Sequence, residues 1–196
     1  MTVRVGIVGG SGYTGGELLR LLIDHPGVEV AQVTSRQHLG EYVYQVHPNL
    51  RKRTTLKFSA PELLEKVDVL FLALPHGQAQ QSIEVFTKTA DRIIDLSADF
   101  RLRSSDTYQR WYGGAHHAPE WLDRFVYGLP ELHRQEIRSA AYVSGVGCNA
   151  TAAILALFPV IQAGLLEREQ TVQFEIKVGS SEGGAEGNPG SHHPER

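Results

Sequence analysis

The chain carries one cysteine, Cys148, in the run Val146-Gly147-Cys148-Asn149-Ala150-Thr151. A strand-like segment, Ala141 to Val146, leads into it and a helix-forming segment, Ala150 to Ala163, leads away. The thiol therefore stands where a strand hands over to a helix. Unpaired N–H groups and the positive end of the helix dipole stabilise a thiolate at such a place, below the ~8.5 of an unperturbed thiol. The competing reading is a packed structural cysteine, common for this residue type. Gly145 and Gly147, with no side chains to cover the sulfur, favour access.

A second feature able to do chemistry lies at the N-terminus. Gly9-Gly10-Ser11-Gly12-Tyr13-Thr14-Gly15 contains Gly-x-Gly-x-x-Gly as Gly10, Gly12 and Gly15, between a strand-like run and a helix-like one. Without Cβ atoms the backbone can turn sharply and approach a pyrophosphate, and the helix N-terminus favours the anion. A tight glycine turn in another α/β protein is the plainer alternative. The second strand then ends in Thr34-Ser35-Arg36, where an NAD site would normally carry an acidic residue for the ribose 2′-hydroxyl. Arg36 lies 24 residues after Gly12, and a guanidinium flanked by hydroxyls suits a 2′-phosphate, so NADP(H) is the expected dinucleotide.

A dinucleotide domain combined with a nucleophilic cysteine implies hydride transfer to a covalently held acyl group, because alcohol oxidation needs no thiol. Short-chain dehydrogenases use Tyr-x-x-x-Lys, and none of the seven tyrosines has lysine four residues on. Zinc dehydrogenases need more thiols than one. Asp95-Leu96-Ser97-Ala98-Asp99-Phe100-Arg101 follows a strand end, where Arg101 could hold a phosphate or make a structural ion pair. Adjacent histidines point in different directions on regular elements, so His116-His117 reads as a surface feature, while His192-His193 in the Gly-rich tail is left open.

The elements that must position these groups alternate between strand and helix, the pattern of a Rossmann-type parallel sheet followed by the start of a mixed α+β domain. Strands are expected at Val3 to Val8, Val28 to Val33, Val67 to Leu74 and Ile93 to Leu96, with helices at Tyr13 to Asp24, Gln78 to Thr89 and Asp106 to Tyr112. Ser59-x-x-Glu62 has the spacing of a capping box and predicts a short helix. His116 to Leu132 reads as ordered loop and Thr171 to Val178 as a half-buried strand. The expected domains are 1–146 for the dinucleotide and 147–196 for the beginning of a catalytic domain that the chain leaves incomplete.

Composition narrows the class. A net charge of −3 and 41% hydrophobic residues suit a globular protein and give no field for gathering nucleic acid. One thiol makes no internal disulfide, and no leader-like segment opens the chain, so a cytoplasmic setting is expected. Apolar runs fall short of the roughly 20 residues a membrane span needs.

Gly9 to Gly16, Val33 to Arg36, Ala73-Leu74-Pro75-His76-Gly77, Asp95 to Arg101 and Gly147 to Thr151 together resemble the N-acetyl-gamma-glutamyl-phosphate reductase family. Gly-Cys-Asn-Ala-Thr, and Ser191-His192-His193-Pro194-Glu195-Arg196, resemble the branch that reduces aminoadipyl or glutamyl phosphate on an amino-group carrier protein, in lysine and arginine biosynthesis. The resemblance implies NADP(H) held by Gly9, Gly10, Ser11, Gly12, Tyr13, Thr14, Gly15, Thr34, Ser35, Arg36, Pro75 and His76. It implies Cys148 as nucleophile, and Ser97, Arg101, Asn149, Ser180 and Ser181 near the substrate. It also implies the carrier protein as partner, inorganic phosphate as product, and a homo-oligomer, dimer or tetramer. The family's catalytic histidine sits in a Gly-His-Arg-His-like segment expected beyond Arg196, so that role is not given to His192 or His193. Three alternatives stand beside this reading: a dinucleotide-binding module without turnover, a reductase of the free acetylated substrate, and an aspartate-semialdehyde or glyceraldehyde-phosphate type of dehydrogenase.

Overall fold

The computed structural model describes residues 2–167 and 169–184. The apolar runs become seven strands: β1 Val3–Val8, β2 Val28–Thr34, β3 Phe58–Ser59, β4 Val67–Leu72, β5 Ala90–Asp95, β6 Phe125–Gly128 and β7 Tyr142–Gly145. Six helices accompany them: α1 Tyr13–Leu22, α2 Val43–Val46, α3 Ala79–Thr89, α4 Ser105–Tyr112, α5 Pro130–Ser139 and α6 Cys148–Gln162. All strand pairs are parallel, in the order β3-β2-β1-β4-β5-β7-β6. Because a parallel sheet is covered on both faces, its central strands can be apolar throughout. Ile7, Leu70, Leu72 and Ile93 are accordingly fully buried.

Two apolar clusters divide the core. Leu19 of α1 packs with Val5, Ile7 and Val33, while Ile83 and Phe86 of α3 pack with Leu70, Leu72 and Ile93. From β1 the chain proceeds outward to β2 and β3, then returns to lay β4 on the other side of β1. That reversal makes a crevice at the carboxyl ends of β1 and β4, the place where open parallel sheets take ligands.

Several expectations are corrected. Ser59 does not cap a helix: it lies in β3, its hydroxyl donating to the Val33 carbonyl, and Pro61–Leu63 is a single 3-10 turn without a side-chain cap. The stretch expected as loop, His116 to Leu132, holds the 3-10 helix Pro119–Arg124, β6, and the start of α5. α5 escapes detection because Leu132 and Ile137 are its only aliphatic side chains, too few to mark a helical face, and it buries no residue fully. Thr171 to Val178 forms no strand, and its alternating Val172, Phe174, Ile176 and Val178 are exposed. A strand needs a neighbour to take its N–H and C=O groups, and among the described residues this segment has none.

The chain divides between Gly145 and Val146 into two compact units. In the second, α6 runs through Pro159 and ends ahead of Gly164, whose φ of 68° supplies the left-handed residue a helix terminus favours. Ser191 to Arg196, with His192 and His193, lie outside the described residues. No helix among the described residues is long and apolar enough to cross a membrane.

Candidate functional site

The turn from β1 into α1 requires glycine for different reasons at different positions. Gly9 has φ 82°, and a Cβ there would run into the Ala73 carbonyl oxygen. A Cβ on Gly10 would strike Val33, and one on Gly15 would lie 2.6 Å from the Gly10 Cα and 2.7 Å from the Gly9 oxygen. These three glycines let chain pack on chain. Gly12 differs: nothing lies within 4 Å of its Cβ direction, and its φ of −78° suits any residue. Its bareness serves whatever approaches from outside.

α1 starts immediately after Gly12, without a side-chain cap and with no acid in its first turn, so its leading N–H groups and dipole offer an uncontested anion site. The loop is braced from two sides. Ser35 Oγ donates to Ser11 Oγ at 3.0 Å, and His47 Nε2 lies 2.8 Å from the Gly10 carbonyl, to which it donates. His47 carried no sequence signal, since its contact spans 37 residues.

At the end of β2, Thr34 is fully buried and its hydroxyl has no partner among the described residues. An orphaned buried hydroxyl is uncommon, and this one is closed off from the surface at the end of β2. Arg36 is exposed and pairs with Glu62 at 2.6 Å. The Glu62 carboxyl is held below its ordinary range, first by a backbone hydrogen bond and then by the Arg36 guanidinium. A bare Gly12, an uncapped helix and an exposed guanidinium at the β2 end match what the pyrophosphate and ribose of a dinucleotide need.

A buried polar cluster follows β4 and β5. Asp99, fully buried, accepts from the backbone N–H of Gly77 at 2.6 Å and of Gln80 at 2.9 Å, and its carboxylate stands 3.0 Å from His76 Nδ1 in ion-pair contact. Gln80 donates to the Tyr108 hydroxyl at 2.7 Å and accepts from the His117 N–H at 2.7 Å. Arg101 donates from Nε to the Gly145 carbonyl and from Nη2 to the Leu96 carbonyl, and among the described residues it makes no structural ion pair. Ser97 is 5% exposed, its hydroxyl donating to Asp95 and accepting from the Asp99 N–H, so it shapes the turn from within.

His116 is not the surface residue expected. It is buried, its Nε2 donating to the Asp99 carbonyl at 3.0 Å and its Nδ1 accepting from the Ala118 N–H at 3.1 Å. Both ring nitrogens are satisfied in one neutral tautomer, and burial lowers the pKa of the ring. Asp95 responds in the opposite direction: burial pushes its carboxyl up to about 6 against the two hydrogen bonds from Ser97.

These two groups pull the pH dependence of stability in opposite senses. An unfolded aspartate titrates near ~3.9, so between about pH 6 and pH 4 the folded chain takes up a proton at Asp95 that the unfolded chain does not. Acidification through that window therefore adds stability, on the order of 3 kcal/mol in full. His116 takes its proton first in the unfolded chain, near ~6.5, so the same acidification removes stability there. Asp95→Asn deletes the compensating contribution. Thermal melts at about pH 7, 6 and 5 are expected to fall more steeply in Asp95→Asn than in the wild type, and parallel curves would refute the assignment.

In the second unit, Cys148 is the first residue of α6 and Gly147 precedes it as N-cap. The first turn is secured by Thr151, whose hydroxyl and N–H each donate to the Gly147 carbonyl at 2.9 Å. Cys148 is exposed, its sulfur 3.9 Å from Asn149 Oδ1 and 3.8 Å from Glu182 Oε1. Asn149 Nδ2 donates to that same Glu182 oxygen at 2.7 Å. Ser180 and Ser181 are exposed in the adjoining 3-10 turn, Ser180–Gly183. Sequence reasoning reached Cys148, Asn149 and the serines but missed Glu182, which a gap of 34 residues separates from the thiol.

The first unit is thus a doubly wound parallel sheet with a dinucleotide-type glycine turn at its switch point, and the second opens on a helix that begins with an exposed thiol. The chain belongs to the semialdehyde dehydrogenase family: the family's NAD binding domain matches residues 4–140 and its dimerisation domain matches residues 148–196.

Among curated relatives, a Thermomicrobium roseum protein provisionally named LysW-L-2-aminoadipate 6-phosphate reductase is 57% identical over 196 residues, all of this chain and 56% of that one. The LysW-L-2-aminoadipate/LysW-L-glutamate phosphate reductase of Saccharolobus solfataricus is 48% identical over 197 residues, covering 99% of this chain and 56% of its own. These relatives agree with the resemblance read from the motifs, and the chain spans little more than half their length. Aspartate semialdehyde dehydrogenase II from Vibrio cholerae shares the fold, with a TM-score of 0.60 at 15% identity over 83% of this chain and 47% of that one.

Proposed function

We propose that the protein reduces the acyl phosphate of a carrier-linked aminoadipyl or glutamyl group to the semialdehyde, with NADPH as reductant and Cys148 as nucleophile. The carrying observation is the lone exposed thiol on the first residue of α6, in a chain whose N-terminal unit matches the family's NAD binding domain.

Cys148 attacks the acyl carbon, forming a C–S bond as the C–O bond to phosphorus breaks and inorganic phosphate leaves. NADPH, when bound, supplies the hydride that takes the thioester to the aldehyde level. Collapse of the resulting hemithioacetal breaks the C–S bond, returning the thiolate and releasing the aldehyde. Gly9 to Gly15, Thr34, Ser35 and Arg36 hold the dinucleotide, with Pro75 and His76 along the crevice. By the family resemblance Arg101, Asn149, Ser180 and Ser181 meet the substrate, and Ser97 shapes from within the turn that carries Arg101. The names of the relatives support an amino-group carrier as the substrate's bearer, and the dimerisation-domain match supports a homo-oligomer.

The test is consumption of NADPH with the acyl phosphate presented on the carrier and, separately, as the free N-acetylated compound. Turnover dependent on the carrier and releasing one phosphate per NADPH is the expected result. Preference for the free compound would overturn the carrier assignment. Dinucleotide choice has its own test: Arg36→Ala is expected to weaken NADPH binding about tenfold or more, as loss of a charge-assisted hydrogen bond does, and to leave NADH binding little changed. Equal losses for both nucleotides would remove Arg36 from the 2′-phosphate.

A further inference from the structure

The loop that follows β4 is held by side chains remote in sequence. Asp99 can only accept when ionised: it takes the Gly77 N–H on Oδ1 and the Gln80 N–H on Oδ2, and Oδ1 also stands 3.0 Å from His76 Nδ1 in ion-pair contact. A carboxylate oxygen so close to the ring nitrogen favours hydrogen on Nδ1 of His76 over a bare lone pair. Gln80 Oε1 accepts from the His117 N–H, which fixes the Gln80 amide with its NH2 group toward Tyr108. The Tyr108 oxygen thus receives a hydrogen from Gln80, and with hydrogen on His76 Nδ1 its own O–H donates to His76 Nε2 at 3.2 Å. In this arrangement His76 is the Nδ1–H tautomer, with Nδ1 against the Asp99 carboxylate and Nε2 accepting from Tyr108.

The ring so held is not buried with its partners. Asp99 is inaccessible, whereas the His76 side chain is 42% exposed, its ring centroid 4.6 Å from that of Tyr112 and 5.8 Å from that of Tyr108. His76 follows the strand whose end packs on the glycine turn, since the Ala73 N–H donates to the Val8 carbonyl and the Ala73 oxygen faces Gly9. It therefore stands on the crevice at the switch between β1 and β4.

We infer that Asp99 is a positioning residue of the dinucleotide site: by fixing His76 as the Nδ1–H tautomer and tying the Gly77 and Gln80 amides, it sets the imidazole as a rigid planar wall of the crevice. With both nitrogens occupied, His76 contributes its ring face and not a transferable proton. The inference rests on the proposed dinucleotide reading for its function, whereas the tautomer is a property of the protein alone.

The test uses the whole chain labelled with 15N at histidine. Long-range proton–nitrogen correlations report the tautomer of His76, assigned by its loss in His76→Gln, and NADPH titration followed by fluorescence reports affinity. Wild-type His76 is expected with hydrogen on Nδ1. In Asp99→Asn one donor must meet the amide NH2, so the tautomer pattern is expected to change and the NADPH Kd to rise about tenfold. Tyr108→Phe leaves Asp99 in place and is expected to retain the Nδ1–H form with a smaller rise in Kd.

A wild-type ring with hydrogen on Nε2 alone overturns the inference, even if Asp99→Asn fails to fold. An unchanged Kd in a folded Asp99→Asn with an altered tautomer overturns the positioning role. Failure of the wild type to bind NADPH while showing the Nδ1–H ring refutes the dinucleotide reading and leaves the assignment of the ring intact.

Discussion

Cys148→Ser is expected to lower acyl-phosphate reduction by about a thousandfold or more while leaving the NADPH Kd unchanged. The thiol is the chain's only sulfur nucleophile and is exposed on the first residue of α6. A serine hydroxyl in the same place keeps the size and the hydrogen bonds but is far harder to ionise. Phosphate release in a single turnover, measured without NADPH, isolates the step at the sulfur, because the C–S bond forms before any hydride is needed. A serine variant that still releases phosphate in a stoichiometric burst would show that another group attacks the acyl carbon. Loss of NADPH binding in the same variant would mean that the substitution has disturbed the fold and not the chemistry alone.

What could be read in advance followed the range of each interaction. β1, β4 and the glycine turn are local: a continuous apolar run is enough for a parallel strand, and Gly10, Gly12 and Gly15 are close enough to form one motif. The polar cluster around Asp99 is not local. Its bonds join residues 19, 22, 28 and 37 positions apart, and no periodicity registers a contact made only when β4 and β5 lie side by side. His116 shows the consequence, since adjacency to His117 suggested a solvated pair while the fold buries its ring under Phe100, with centroids 5.4 Å apart. The converse error is Thr171 to Val178, whose alternation is real. Side-chain pattern alone makes no strand where no neighbouring backbone completes the ladder.

The glycine turn offers the sharpest division between packing and binding, because two substitutions of the same size should fail differently. Gly15→Ala sets a methyl 2.6 Å from the Gly10 Cα, a backbone atom that cannot swing aside. It should destabilise the chain by roughly 3 kcal/mol, lowering the melting temperature by about 6–12 °C. Gly12→Ala meets no protein atom within 4 Å at a φ of −78° that alanine adopts freely. Its stability should stay within about 1 kcal/mol of the wild type, the modest loss of an N-cap preference being offset by a stiffer unfolded chain. Yet its methyl projects where a pyrophosphate must approach the α1 amides, so NADPH affinity should fall more than about tenfold. Thermal melts and NADPH titrations on the two variants separate these effects. A Gly12→Ala variant that binds as tightly as the wild type would mean that the open space over α1 is not where the diphosphate rests, and the dinucleotide reading would lose its geometric support.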